Sequence, residues 1–167
     1  MEPEWRNPFT SSRAGGRALS ALTLPFFLIR PPAGYGVLTT TGRRTGKRRR
    51  KCVRLVRNEN ELYVVAINKS GLIPHWSKNA LANPEVRVRI PGGTFSGRAR
   101  TPRDAAEMER VRKAFCGAVH WTDYLTWINW RKARPTRTRI KGFLRDWFEE
   151  GIPLVIELSV AATAPRR

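Results

Sequence analysis

The last strand-like run of this chain, Ile152-Pro153-Leu154-Val155-Ile156-Glu157-Leu158, is nearly all apolar, and it constrains the fold more than any other segment. A strand apolar on both faces offers no side to water, so it belongs in the middle of a sheet, between two neighbours. Those neighbours must come from earlier in the chain. Val37-Leu38-Thr39-Thr40-Thr41 is β-branched and stops at a glycine. Cys52 to Arg57 and Leu62 to Ile67 read as two further strands about the polar turn Asn58-Glu59-Asn60. Val86-Arg87-Val88-Arg89-Ile90 alternates, apolar residues inward and arginines outward, and Pro91-Gly92-Gly93 turns it into a hairpin with Thr94 to Arg100.

The other segments carry helical signals. Arg13 to Ile29 brings Leu19, Leu22, Phe26 and Phe27 close to one face and is stopped by Pro31-Pro32-Ala33-Gly34. Pro74 to Leu81 reads as a short helix closed before Asn83-Pro84, and Asp104 to Gly117 as a longer one with Met108, Val111 and Phe115 on one face. Trp121 to Lys132 and Pro135 to Glu150 follow, the second ended by Gly151. Helix, three strands, short helix, hairpin, helices, strand is not the βαβ alternation of a doubly wound sheet. It suits an α+β fold in which an antiparallel barrel carries peripheral helices at its mouth. The expected organisation is an N-terminal segment (1–35) with the apolar helix, a barrel domain (36–160) that includes a helical insert (121–150), and a tail (161–167).

Charge narrows the partners. With 32 Lys+Arg against 13 Asp+Glu the chain has a formal net charge of +19, a field that attracts nucleic acid, acidic lipid or an acidic small molecule. Cys52 and Cys116 stand far apart with no Cys-x-x-Cys, which argues against a disulfide framework or zinc knuckle and fits a reducing cytoplasm. His75 and His120 are isolated, so no metal site is expected. The start, Met1-Glu2-Pro3-Glu4, is acidic where a secretory signal is positive. Leu19 to Ile29 is too short to span a bilayer and is broken by Pro25. Flanked by Arg13, Arg17 and Arg30, that stretch has two readings: a helix packed on the barrel, or a monotopic segment peripheral on the anionic inner face of the cell membrane.

Chemistry concentrates in Gly42-Arg43-Arg44-Thr45-Gly46-Lys47-Arg48-Arg49-Arg50-Lys51. Glycines let backbone N–H groups approach an anion, Thr45 adds a hydroxyl, and arginines offer bidentate forks for phosphate or carboxylate oxygens. The spacing is not that of a Walker loop, and no Gly-x-Gly-x-x-Gly supports a Rossmann site. On these residues alone the loop serves equally a phosphate-bearing cofactor, RNA or plain solvent.

The string Leu38-Thr39-Thr40-Thr41-Gly42-Arg43-Arg44-Thr45-Gly46-Lys47 resembles the opening motif of the deazaflavin-dependent nitroreductase/quinone reductase family. The resemblance continues in Pro74-His75-Trp76-Ser77-Lys78-Asn79-Ala80-Leu81-Ala82-Asn83-Pro84-Glu85-Val86, in Asp123-Tyr124 and in the terminal strand, covering about residues 36–158. It implies a split β-barrel similar to the FMN-binding barrels. It also implies coenzyme F420, an 8-hydroxy-5-deazaflavin with a phosphate and a polyglutamate tail, as hydride donor to a quinone, enone or nitro-type small-molecule acceptor; FMN is the lesser option. By the same resemblance Arg43, Arg44, Thr45, Gly46 and Lys47 hold the phosphate, and Arg49, Arg50 and Lys51 line the way out for the tail. Ala66 to Lys69 and His75 to Asn79, Trp76 among them, border the ring system. The chain departs from the pattern at Arg48, in place of a proline, and at Asn68-Lys69, in place of Ser-Lys.

Trp121 and Tyr124, three apart on a helix, are expected to close the acceptor pocket. Tyr124 is the favoured proton donor over Asn68 acting through water, because a phenol donates directly and an amide is a poor acid. Trp127, Trp130, Trp147 and Phe148 read first as core packing. Two rival functions remain from the residues alone: a basic RNA-binding protein, and a barrel that carries a flavin-like or lipid ligand without catalysis. The oligomeric state is left open.

Overall fold

A computed structural model describes residues 22, 24–67, 73–131 and 134–159. Six antiparallel strands close into one barrel: β1 (Tyr35–Thr41), β2 (Arg48–Asn58), β3 (Glu61–Ala66), β4 (Glu85–Ile90), β5 (Gly93–Arg100) and β6 (Ile152–Leu158), in the order β1-β2-β3-β6-β5-β4. Helices decorate it, among the described residues α1 (His75–Ala82), α2 (Ala105–Gly117), α3 (Trp121–Arg131) and α4 (Arg137–Glu150). A further helical stretch covers 24–29; the remainder of the expected 13–29 helix lies outside the described residues, as do Asn68 and Lys69.

Alternation along the strands separates two apolar layers. Leu38, Leu55, Leu62, Val64, Val88 and Ile156 fill the barrel, and α1 stops its mouth with Ala80 and the flank of Trp76. On the outside, Tyr63 and Val65 of β3 and Val155 of β6 meet Val111 and Phe115 of α2, Trp127 of α3 and Ile140, Phe143, Leu144 and Phe148 of α4. β6 is therefore apolar on both sides, as expected of a strand between two others: Ile156 faces the interior and Val155 the helices, with β3 and β5 on its edges. The aromatic insert does pack: Trp127 and Phe148 are buried and Trp147 lies against the same layer, while the Trp130 side chain is outside the description.

Two expectations are corrected. Met108 is exposed rather than part of the buried face of α2. That face is centred on Glu107, Val111 and Phe115, because Arg100 draws the Glu107 carboxylate inward through two 2.8 Å hydrogen bonds. Second, the basic run is not one loop. β2 starts at Arg48, so only Gly42 to Lys47 turns, and Arg48 to Lys51 are strand residues paired with Leu38 to Thr41.

Candidate active site

The β1–β2 hairpin outgrows the barrel. β2 pairs with β3 only over Leu55–Asn58, so Arg48 to Lys51 are held by β1 alone. The connecting loop closes on itself: Gly42 N donates to Lys47 O (2.9 Å) and Gly46 N to Gly42 O (2.8 Å). Gly46 sits at φ +64, which a side chain rarely adopts, and a Cβ there would meet nothing within 4 Å, so its backbone faces open space. Thr45 Oγ1 accepts from Lys47 N at 3.4 Å.

Helix α1 fixes this loop to the mouth. Asn79 is buried, and its Oδ1 accepts from Arg43 N (3.3 Å) and Arg43 Nη1 (3.1 Å). One turn later Asn83 Nδ2 donates to Thr41 O at 3.2 Å, and Pro84 leads directly into β4. The two asparagines of the Asn-x-x-x-Asn-Pro segment thus clamp the start of the loop and the end of β1. Ser77 Oγ, buried, donates to Pro74 O (2.8 Å) within the first turn of α1.

The register sorts the cations onto two faces. Residues opposite each other in an antiparallel pair share a face, so Lys51 (opposite Leu38) and Arg49 (opposite Thr40) lie on the barrel-interior side. Arg50 (opposite Thr39) and Arg48 (opposite Thr41) lie on the outer side. Arg50 is therefore divided from Arg49 and Lys51, with which the sequence reading grouped it. Burial pushes the Lys51 ammonium down from its ordinary value. On the outer side a cavity of about 230 Å³ is lined by Thr39, Thr41, Arg48, Glu85, Arg87 and Ser96.

These residues suit an anionic group. Residues 42–51 hold seven cations and no carboxylate, and among the described residues no acid pairs with Arg44, Arg48, Arg49 or Arg50. Thr40 Oγ1, on the interior side of the hairpin, is buried with no hydrogen-bond partner.

The remaining site candidates are spread out. Ala66 is buried at the end of β3, and His75 is exposed at the start of α1. Trp121 is exposed, whereas Tyr124 is half-buried against the helical layer, so the pair does not share one environment. Helix α3 meets β1 at the end remote from the loop, through Tyr35 Oη to Thr126 Oγ1 (3.2 Å) and Thr122 Oγ1 donating to Ala33 O (3.5 Å). Burial pushes the Tyr35 phenol up, the Thr126 bond opposing it. A ligand touching both the loop and α3 would have to run the length of β1, roughly 20 Å at the usual strand rise.

One anchor escaped the sequence reading. Arg54 and Asp123 are both buried, joined by Nε–Oδ1 (2.8 Å) and Nη2–Oδ2 (3.2 Å) bonds. Arg54 also donates to the carbonyls of Phe115 and Ala118, and its guanidinium lies 4.3 Å over the Phe115 ring. Asp123 Oδ2 further accepts from His120 N (2.8 Å). The signal was an arginine within the apolar run Cys52-Val53-Arg54-Leu55-Val56; such a charge is held inside only when paired.

A family model described as F420H(2)-dependent quinone reductase matches residues 30–131. The chain belongs to that family. Its members' chemistry makes the protein an oxidoreductase that uses coenzyme F420. Among solved structures, the F420-H2 dependent reductase FDR-A is similar at 23% identity and TM-score 0.50, covering 75% of this chain and 95% of its own. A domain-swapped dimer is similar at 20% identity and TM-score 0.53, covering 86% and 94%. Both share the barrel fold. A pyridoxamine 5'-phosphate oxidase-type protein from Listeria innocua matches at 15% identity and TM-score 0.45, covering 84% and 94%. Among the described residues, no helix is long and apolar enough to cross a membrane.

Proposed function

We propose that this F420H(2)-dependent reductase delivers hydride to a quinone-type acceptor, and that the clamped loop Gly42–Lys47 anchors the cofactor phosphate. The observation that carries the reading is the set of seven cations with no carboxylate in residues 42–51, of which Arg44, Arg48, Arg49 and Arg50 have no acid partner among the described residues, on a hairpin whose loop is held by Asn79. Arg44, Thr45 and Lys47 supply donors to phosphate oxygens, while Arg43, tied to Asn79, sets the angle of the loop. Arg49 and Lys51 on the interior side, and Arg48 and Arg50 on the outer side, offer two tracks for tail carboxylates. Ala66, Lys69, His75 and Trp76 border the ring. When bound, the reduced deazaflavin supplies the hydride. The protein's own work is to orient the acceptor, exclude water and supply a proton, for which we assign Tyr124, with Asn68 as a weaker candidate through water. Trp121 completes the acceptor side. The cysteine usage supports a cytoplasmic setting.

Calorimetry with F420, a tail-less deazaflavin and FMN tests the anchoring. Affinity should fall in that order. Equal affinity for the first two removes the role of the tail, and preference for FMN moves the protein to flavin chemistry. Tight RNA binding with no cofactor binding would favour the nucleic-acid alternative.

A further inference from the structure

Strands β1 and β4 stop pairing before either of them ends. Their register runs Val37↔Arg89, Leu38↔Val88 and Thr39↔Arg87, yet β1 continues to Thr41 and β4 begins at Glu85. Asn83-Pro84 accounts for the parting. Asn83 Nδ2 takes the carbonyl of Thr41 at 3.2 Å, and Pro84 has no N–H to offer β1. The gap so opened is the outer cavity of about 230 Å³, and Thr40, whose Oγ1 is buried without a partner, borders it. Four strands supply its outward groups. Thr39 and Thr41 of β1 lie in the middle, Arg48 of β2 on one side, and Arg87 of β4 with its opposite residue Ser96 of β5 on the other. Arg48 and Arg87 are exposed, and among the described residues no acid pairs with either. Their strands flank β1, so the two backbones stand on the order of 10 Å apart, a span that two arginine side chains can close over the threonines.

We propose that this cavity is a second anion site, separate from the loop Gly42–Lys47, and that it takes a small phosphate monoester with hydroxyl groups at its other end. Size, charge and shape select that occupant. A volume of about 230 Å³ falls below the roughly 300–1,000 Å³ of pockets that hold drug-sized ligands, so the site suits a small molecule rather than a ring cofactor. Cations on both sides of the threonines suit a tetrahedral group, which presents oxygens in several directions, whereas a planar carboxylate is best met by a single guanidinium fork. The hydroxyls of Thr39, Thr41 and Ser96 are further donors to those oxygens. Glu85 lies two residues from Arg87, toward Pro84, and its carboxylate offers acceptors only. It repels a second anionic group and accepts from the hydroxyls of an ester. A partner protein fits poorly, because the lining presents no exposed apolar side chain for the centre of an interface. The proposal stands apart from the redox reading, since binding of the ester needs no cofactor.

Glycerol 3-phosphate is the probe, titrated into the full chain at about 0.15 M salt, where long-range attraction is screened, and followed by amide NMR. Saturable shifts are expected at residues 39–41, 85–87 and 96, a set distinct from any at 42–47. Arg87→Gln should weaken binding at that set about tenfold or more and leave shifts at the loop as they are. Inorganic phosphate should bind more weakly than the ester, and Glu85→Gln should narrow the difference. Arg87 is solvent-facing, so melting temperature should hold in its variant; if it does not, Ser96→Ala takes its place with a smaller expected loss. Shifts confined to 42–47, shifts that grow without saturating, binding untouched by the variants, or equal affinity for the ester and inorganic phosphate each overturns the proposal. So does displacement of the ester by F420 but not by a tail-less deazaflavin, which would give the cavity to the cofactor tail.

Discussion

Asn79 shows how one side chain governs a site it need not touch. Its carbonyl oxygen accepts from both the backbone and the guanidinium of Arg43, so it fixes the entry of the loop and the direction of that side chain. Asn79→Ala should therefore weaken F420 binding by about 1 kcal/mol, the usual net worth of such bonds, read by calorimetry with the fold checked by circular dichroism. Arg44→Ala should cost more, about 1.5–3 kcal/mol for a charge-assisted contact, and Arg50→Ala about 0–1 kcal/mol for an exposed, screened one. Lys51 adds a pH signature. Burial has lowered its value in the free protein, and a nearby anion favours its charged form and would raise it again. Cofactor affinity should be flat below the lowered value and fall as pH rises through it, with proton uptake on binding near that pH. Lys51→Met should flatten that limb in titrations run in buffers of different ionisation enthalpy. Tyr124→Phe should cut turnover with a quinone by roughly 10- to 100-fold if the phenol is the proton donor. An unchanged rate would leave Tyr124 to the packing its half-buried position already shows.

Among the elements, two charge clusters do the joining, one half-buried around Arg100 and one buried at Arg54. Arg100, at the end of β5, holds Glu107 of α2 in a bidentate pair, Glu157 of β6 at 2.8 Å and Glu61 of β3 at 3.3 Å. The Arg100 hydrogen bonds pull Glu107 down to about 2 against the opposing effect of burial, and they lower Glu157 too. A carboxylate depressed in the folded state stabilises it above the unfolded value and ceases to do so as pH falls toward the folded one. Melting temperature should therefore drop steeply from about pH 4.5 toward pH 2, and less steeply in Glu107→Gln. The Arg54–Asp123 pair pins α3 to β2 in the same manner. Asp123→Ala leaves a buried guanidinium without its partner and should cost about 3–5 kcal/mol, whereas Arg54→Met/Asp123→Leu should recover most of that in denaturant melts. The strands were legible because Val86 to Ile90 alternates and β6 is apolar on both sides. The length of β2 was not, since four cations in a row look like solvated loop until Leu38 to Thr41 pair with them. Helix α3 was legible as a helix, expected over Trp121 to Lys132 and found over Trp121–Arg131, but the way it faces was not. Its inward side is mixed: Trp127 joins the helical core, while the pair with Arg54 draws Asp123 inward as well, and Trp121, Leu125 and Ile128 are left exposed.

At the scale of the whole molecule, the arginines divide into those spent and those left over. Arg54 and Arg100 are absorbed by acids inside the fold, while residues 42–51 put seven cations on one hairpin with no acid among them. The motif around Gly42 and the Asn79–Asn83 segment were readable in sequence; the division of the arginines over two faces required the register. The net field, from a formal charge of +19, should act on the rate of encounter more than on the final contacts. An anionic cofactor with several tail carboxylates approaches down that field, so its association rate should fall with ionic strength, by roughly tenfold or more between about 10 mM and 300 mM salt, as the screening length shrinks well below the size of the protein. Dissociation, governed by short-range bonds to the cofactor, should change much less. A tail-less deazaflavin carries fewer charges and should show a shallower dependence. Stopped-flow fluorescence with both cofactors across a salt series measures this directly. Identical slopes would mean that only the phosphate senses the field, and the arginines beyond Lys47 would then lose their assignment to the tail.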